Sequence, residues 1–306
     1  MNRLVPLLAF AALAAVPFIP FGREGGYVLL LVSRVMVFAL AAISLDLLLG
    51  GGGMVSFGHA AYLAIGAYAV AILDANDVSE AWAVLAAALG AAALFAAGTG
   101  AVALRTRGVN FIMITLAFAQ MVYFAAGSLA AYGGDDGYSL IARTELFGWP
   151  VLKGRGFYAT AFVLLLAGYL LCRMLVASRF GRVLRAIRQN RQRVQAMGFN
   201  PFTVQLTAMV IAGMLCAVAG VLLANLSEFA SPAYATWQRS GDLLIMVILG
   251  GAGSLHGALL GAAFVVLLEE ALGRLTEHWR LIFGPLLVLS VLYFRGGLAG
   301  IGAKRD

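Results

Sequence analysis

The chain has 306 residues, 62% of them hydrophobic and 11% charged, with a mean hydropathy of +0.95. A water-soluble domain carries about 25% charged residues, so the composition excludes a soluble globular protein and predicts a polytopic membrane protein. Twenty-one basic and fourteen acidic residues give a net charge of +7, but the charges fall between apolar runs, where the positive-inside rule accounts for them better than nucleic-acid binding does.

Runs with few or no charges predict helices at 4–21, 27–49, 59–73, 81–104, 110–131, 157–177, 202–226, 242–272 and 281–294. Together they imply an all-α fold of about eight to ten transmembrane helices, Gly-broken or re-entrant segments included, in a single domain. Met1-Asn2-Arg3 before the first run imitates a secretory leader, but further spans follow at once and favour a retained first helix. Run 242–272 is too long for one simple span and Gly250-Gly251-Ala252-Gly253 interrupts it, so it reads as a half-helix, a break and a second helix. Trp279 and Arg295 flank the last run at positions suited to the interface. Cys172 and Cys216 sit in separate apolar runs, and no disulfide is expected between them.

Orientation follows from Lys and Arg. Seven arginines and no acid lie between Arg173 and Arg193, whereas 74–80 holds three acids and no base. The first segment is therefore expected inside and the second outside. Counting spans puts Arg105, Arg107 and both termini, with Lys304-Arg305, on the cytoplasmic side, and loops 132–156 and 225–241 outside. That parity requires 242–272 to enter and leave on the external side.

Leu49-Gly-Gly-Gly-Gly-Met-Val-Ser56-Phe-Gly-His59 is echoed by Leu249-Gly-Gly-Ala-Gly-Ser254-Leu-His256, with a three-residue gap. Gly-interrupted apolar segments at corresponding places are a sign of transporters built from repeats, with broken helices near the midplane. Nucleotide chemistry has no motif here. Lys153 and Lys304 follow Leu152 and Ala303 rather than a Walker glycine, and Ser56 stands where the Gly50–Gly53 run would need its third dinucleotide-loop glycine. His59, His256 and His278 are too scattered for a metal site.

Ionisable and polar residues at membrane depth are functional candidates: Asp46, Gln120, His59, His256 and the pair Glu269-Glu270. Asp46 either stabilises the break just after it or lines a pathway. The two histidines open helices and are better read as hydrogen-bonded helix-start residues, and the glutamates as interfacial. Gly253, Gly257 and Gly261 share a helix face that suits close backbone packing.

Between 180 and 198, Phe180, Val183, Leu184, Ile187, Val194 and Met197 recur at helical spacing, with Arg182, Arg185, Arg188, Gln192 and Arg193 between them. Two short amphipathic helices are predicted, ending at Gly198 and Asn200-Pro201. On these residues alone two readings stand: a solvated loop drawn to anionic headgroups, or a docking element whose apolar stripe enters a partner's groove.

Five segments, taken in order, resemble one known family. They are Leu49–Ala61 with Gly50, Gly51, Gly52 and Gly53; Leu104-Arg-Thr-Arg-Gly-Val109 leading into Ile114–Ala119; Gly133-Gly-Asp-Asp-Gly137; Ser178–Asn190 followed by Ala196-Met-Gly198; and Met246–Ser254. The family is that of the permease subunits of bacterial ABC importers for branched-chain amino acids, the M-type subunit in particular. The resemblance covers about residues 27–300. It implies a multi-pass protein of the inner membrane, working with a paralogous permease, two cytoplasmic ATPase subunits that carry the ATP and Mg, and a periplasmic binding protein. It identifies 178–200 as the coupling loop, through Phe180, Gly181, Arg182, Val183, Leu184, Arg185, Ala186, Ile187, Arg188, Gln189, Asn190, Ala196 and Gly198. The Glu-Ala-Ala triplet of the wider importer loop is absent. Pathway candidates are Asp46, Gly50–Gly53, Ser56, His59, Gln120, Gly250, Gly251, Gly253, Ser254 and His256. Asp135, Asp136, Arg143 and Arg239 are candidates for docking the binding protein. Permeases for urea, short amides or other small carboxylates share this pattern. An ion-coupled secondary transporter is the rival from another class.

Overall fold

The computed structural model describes residues 4–19, 25–145, 152, 154–275, 278–293 and 297–300. Met1–Arg3, Lys153, Arg295 and Lys304-Arg305, and with them the expectation for the termini, lie outside these residues. The helices are α1 (Leu4–Ala15), α2 (Gly25–Asp46), α3 (His59–Asp74), α4 (Ala81–Ala103), α5 (Val109–Ser128), α6 (Arg155–Ala177), α7 (Arg179–Gln189), α8 (Arg191–Ala196), α9 (Pro201–Ser227), α10 (Trp237–Gly250), α11 (Leu255–Leu275) and α12 (Trp279–Tyr293). Six are long and apolar enough to cross a membrane: α2 with its extension to Gly51, α4, α5, α6, α9 and α11. One two-stranded piece, β1 (Tyr138–Ser139) with β2 (Phe229–Ala230), is antiparallel.

Helix starts follow their local chemistry. Ser178 accepts from the Gly181 N–H and caps α7, and Asn190 accepts from the Arg193 N–H and caps α8. Asn200 accepts from the Phe202 N–H before Pro201, which needs no hydrogen-bond acceptor in the first turn of α9.

The core is built around α2 and α9. Of their spans, 67% and 61% are buried, against 22–28% for α4, α5 and α6, which turn apolar faces outward. Small residues bring α3 and α9 together: a methyl on Gly66 would overlap the Ala217 carbonyl, and one on Gly220 the Leu63 carbonyl. At the end where α3 finishes, loops 129–145 and 228–236 form a cap. Asp74 accepts from the Ile141 and Ala142 N–H groups at 2.7 and 3.0 Å, and Asn225 accepts from the Thr144 N–H at 3.0 Å. The opposite end carries α7, α8 and the turn with Arg107, which meet around one cavity.

Run 242–272 divides as its glycines predict, into α10 and α11 joined by 251–254. Both limbs end on the cap side. α10 leaves the short 3-10 turn Pro232–Ala235 beside β2, and Glu269 near the end of α11 reaches Arg34 in the first half of α2 at 3.4 Å. The glycine face packs against the preceding limb itself: methyls on Gly257 and Gly261 would overlap the Gly250 and Met246 carbonyls. The break lies deeper than a midplane position. It touches Gly50, which is about 38 Å along α2 from Gly25 at 1.5 Å per residue, one residue from where α7 packs.

Candidate functional site

The two glycine segments matched in the sequence meet in space. α2 widens into a π-turn at Leu47–Gly51 and is followed by a linker of seven residues, 52–58, before α3; α10 reaches α11 through four, 251–254. That difference is the three-residue gap of the sequence echo. The Gly253 N–H donates to Asp46 Oδ1 at 2.7 Å, and a methyl on Gly50 would overlap the Gly253 backbone. Asp46, 2% exposed, thus braces the facing break, and its side chain makes no cap bond to its own π-turn.

His59 opens α3, fully buried. Ser44 donates its proton to the Ala41 carbonyl at 2.6 Å, so at 2.8 Å it accepts from His59 Nε2, which fixes that nitrogen as the protonated one. The reading of His59 as a bonded helix-start residue fits this geometry. Gly58 offers α3 no side-chain cap, and Ser240 of α10 supplies an acceptor to the Ala60 N–H at 3.0 Å. Ser56 accepts from the Gly58 N–H, and Ser254 donates to the Gly251 carbonyl. His256 is half-buried in the first turn of α11, and Gln120 is half-buried on α5, away from the breaks. Glu269 and Glu270 pair with Arg34, and Glu270 also with Arg274.

The arginine-rich loop corrects one expectation. Leu184 and Ile187 are 1% and 5% exposed, seated inside this chain, with Leu184 against Gly51 and Gly52. The membrane domain itself covers half of the apolar stripe, so it is not free to enter another protein's groove. Phe180 and Val183 do line an open groove of about 410 Å³ with Arg179, Arg182, Phe199 and Val204. Gly181 is packed so tightly that a Cβ there would press on the Leu175 and Val176 carbonyls, which ties α7 to the end of α6. Arg182, Arg185, Gln189 and Asn190 face outward, Ala186 is half-buried, and Ala196 and Gly198 are exposed. Arg188 Nη1 donates to the Gly50 carbonyl at 2.8 Å, and its side chain lies where Gly53 leaves room, at φ +66°. One chain of contacts therefore runs from α7 through Gly50 and Asp46 to Gly253.

At the cap, Arg143 pairs with Glu228 and donates to the Leu152 carbonyl, while Arg239 pairs with Asp242 at 3.5 Å and lies over the Phe38 ring. Both are tied within the chain rather than free at a rim. Asp135 and Asp136 are exposed in the turn whose Gly137, at φ +83°, packs against the Ala230 carbonyl. Sequence reasoning missed Arg34, Ser44, Asp74, Asn225 and Ser240. Arg34 carried a signal, as an ionisable residue inside run 27–49.

Comparison with known proteins names the family. The family described as branched-chain amino acid transport system, permease component, matches residues 27–291. The high-affinity branched-chain amino acid transport system permease protein LivM of Salmonella typhimurium is 28% identical over 86% of this chain and 68% of its own length. LivH of Escherichia coli K12 is 27% identical over 86% of this chain and 91% of its own. The autoinducer 2 import system permease protein LsrC of E. coli DH10B is 27% identical over 54% and 50%. No solved structure gives a significant match. With a match over 27–291 and spans that make it a multi-pass membrane protein, the chain belongs to the family of branched-chain amino acid transport permeases.

Proposed function

We propose that this chain is one wall of the translocation path in a binding-protein-dependent ABC importer of branched-chain amino acids, in a bacterial inner membrane. A paralogous permease completes the path, two cytoplasmic ATPase subunits carry ATP and Mg, and a periplasmic protein delivers the substrate. The observation that carries the reading is the contact chain from α7 to both glycine breaks. A push on the outward face of α7, at Arg182, Arg185 and the Phe180–Phe199 groove, reaches Gly253 through Arg188, Gly50 and Asp46. The arginine end is assigned to the cytoplasm and the cap to the periplasm by the positive-inside rule. An impermeant thiol reagent should label cysteines placed at Ser139 and Ser231 in intact cells, and not one at Gln189.

The assembly should take up labelled leucine in a vanadate-sensitive manner, with isoleucine and valine competing. Competition by urea or aromatic acids instead would move the substrate to another class while leaving the architecture intact. The secondary-transporter rival needs Asp46 as its ion site, yet that carboxylate accepts the Gly253 N–H. Asp46→Asn keeps an acceptor oxygen there and should keep uptake, whereas ion coupling through Asp46 demands its loss.

A further inference from the structure

A cavity of about 360 Å³ opens beside the first glycine break, between the end of α4, the start of α5 and the α7–α8 corner. Three arginines line it, Arg107 from the α4–α5 turn and Arg188 and Arg191 from the α7–α8 corner, and the described residues that line it include no acid. None of the three has a carboxylate within ion-pair distance among the described residues, although the Asp46 charge acts on Arg188. Arg188 has one donor on the Gly50 carbonyl. Arg191 has Nη1 on Gln205 at 3.3 Å, while its Nε is shielded from solvent and unpartnered. Burial, and then the charge of Arg107, push the Arg191 pKa below the ordinary arginine value. Like charges from two stretches of chain have been brought together at the cavity wall, an arrangement that a bound anion relieves.

We propose that this cavity binds a phosphate group, gripped by Arg107 and Arg191, with Arg188 forming its inner wall. Phosphate suits the site because guanidinium forks match its oxygens in pairs and three cations can balance a dianion. A transported amino acid does not suit it, since no acid lines the cavity to meet an ammonium. Phe111 and Ile112 give the cavity an apolar flank, which continues into the exposed Val109 and Met113 of α5. A phosphate diester carrying acyl chains, the headgroup of an anionic lipid, could lay its chains along that flank. A soluble phosphate offers the same anion without them, and basic pockets between spans suit either source.

The test uses the full-length chain, purified in the assembly in which it leaves the membrane and stripped of lipid by neutral detergent. Phosphatidylglycerol, phosphatidylcholine and inorganic phosphate are the probes, with bound probe and melting temperature as readouts. Saturable binding of phosphatidylglycerol at one per chain, without phosphatidylcholine binding, identifies a lipid headgroup. Saturable binding of inorganic phosphate that phosphatidylglycerol does not displace identifies a soluble anion. In either case Arg107→Gln and Arg191→Gln should each weaken binding about ten-fold, the loss of one charge-assisted contact. Arg173→Gln, which removes the same charge type from an exposed position near the end of α6 outside the cavity, should leave binding unchanged. Should the cavity variants lose their fold, the wild type still decides, since phosphatidylglycerol or phosphate should raise its melting temperature where phosphatidylcholine and sulfate-free buffer do not. Equal weakening by Arg173→Gln, or no saturable binding of any probe to the wild type, overturns the proposal.

Discussion

The two ends of this molecule treat charge in opposite ways. At the cap, charged groups are satisfied inside the chain: Arg143 by Glu228, Arg239 by Asp242, and Asp74 by two loop amides. At the other end, Arg105, Arg107, Arg179, Arg182, Arg185, Arg188, Arg191 and Arg193 have no carboxylate within ion-pair distance among the described residues. The cap's charges hold its own loops, whereas those of the arginine end are left for something that arrives. Stability and association should therefore separate between the ends.

The largest expected effect tests the seat beneath the arginines. Leu184→Ala empties a fully buried site against the first glycine break and should cost about 2–5 kcal/mol, read by thermal unfolding in detergent. A near-neutral result would mean that α7 is not held by its inner face. Next comes Asp74→Ala, which leaves two cap amides unmet and should cost about 1–3 kcal/mol for each one that water cannot reach. Its companion readout, ATPase association, should not change. Arg143→Ala breaks a partly exposed pair and should cost only ~0–1 kcal/mol. The smallest change in stability is expected for Arg182→Gln with Arg185→Gln, within about 0.5 kcal/mol, although pull-down of ATPase subunits should fall and become steeper in salt. If that pair destabilises the chain as much as Asp74→Ala does, the contrast between the ends is wrong.

Much of this arrangement was legible in the sequence, and what was not has physical reasons. Hydropathy located the spans to within a few residues, and the 250–253 glycines marked the hairpin break, because a break needs residues that allow close backbone approach. Arg34 escaped notice because one arginine hardly lowers the mean hydropathy of a 22-residue helix, and its partners lie 235 residues away and beyond. Asp74 looked like one of three acids in a solvated loop, since the amides it binds lie 67 and 68 residues downstream. The stripe at Leu184 and Ile187 was visible as a period, but a period does not say what covers it. For Leu184 the cover is Gly51 and Gly52, residues the sequence marked for a different reason.

The bond between Asp46 and Gly253 also constrains how the protein is made. Its two ends are separated by 207 residues. At about 5–20 residues per second, the ribosome adds that length in roughly 10–40 s. Throughout that interval α2 waits beside the insertion machinery with Arg34 and Asp46 unmatched, in surroundings where a lone charge is costly. Lipid is a costly resting place during that time, so shelter by water or the translocation apparatus is expected until α9, α10 and α11 arrive. The most deeply buried of the described spans is thus completed long after it is synthesised, and a ribosome stalled between 227 and 253 should leave a chain that quality-control proteases recognise by α2.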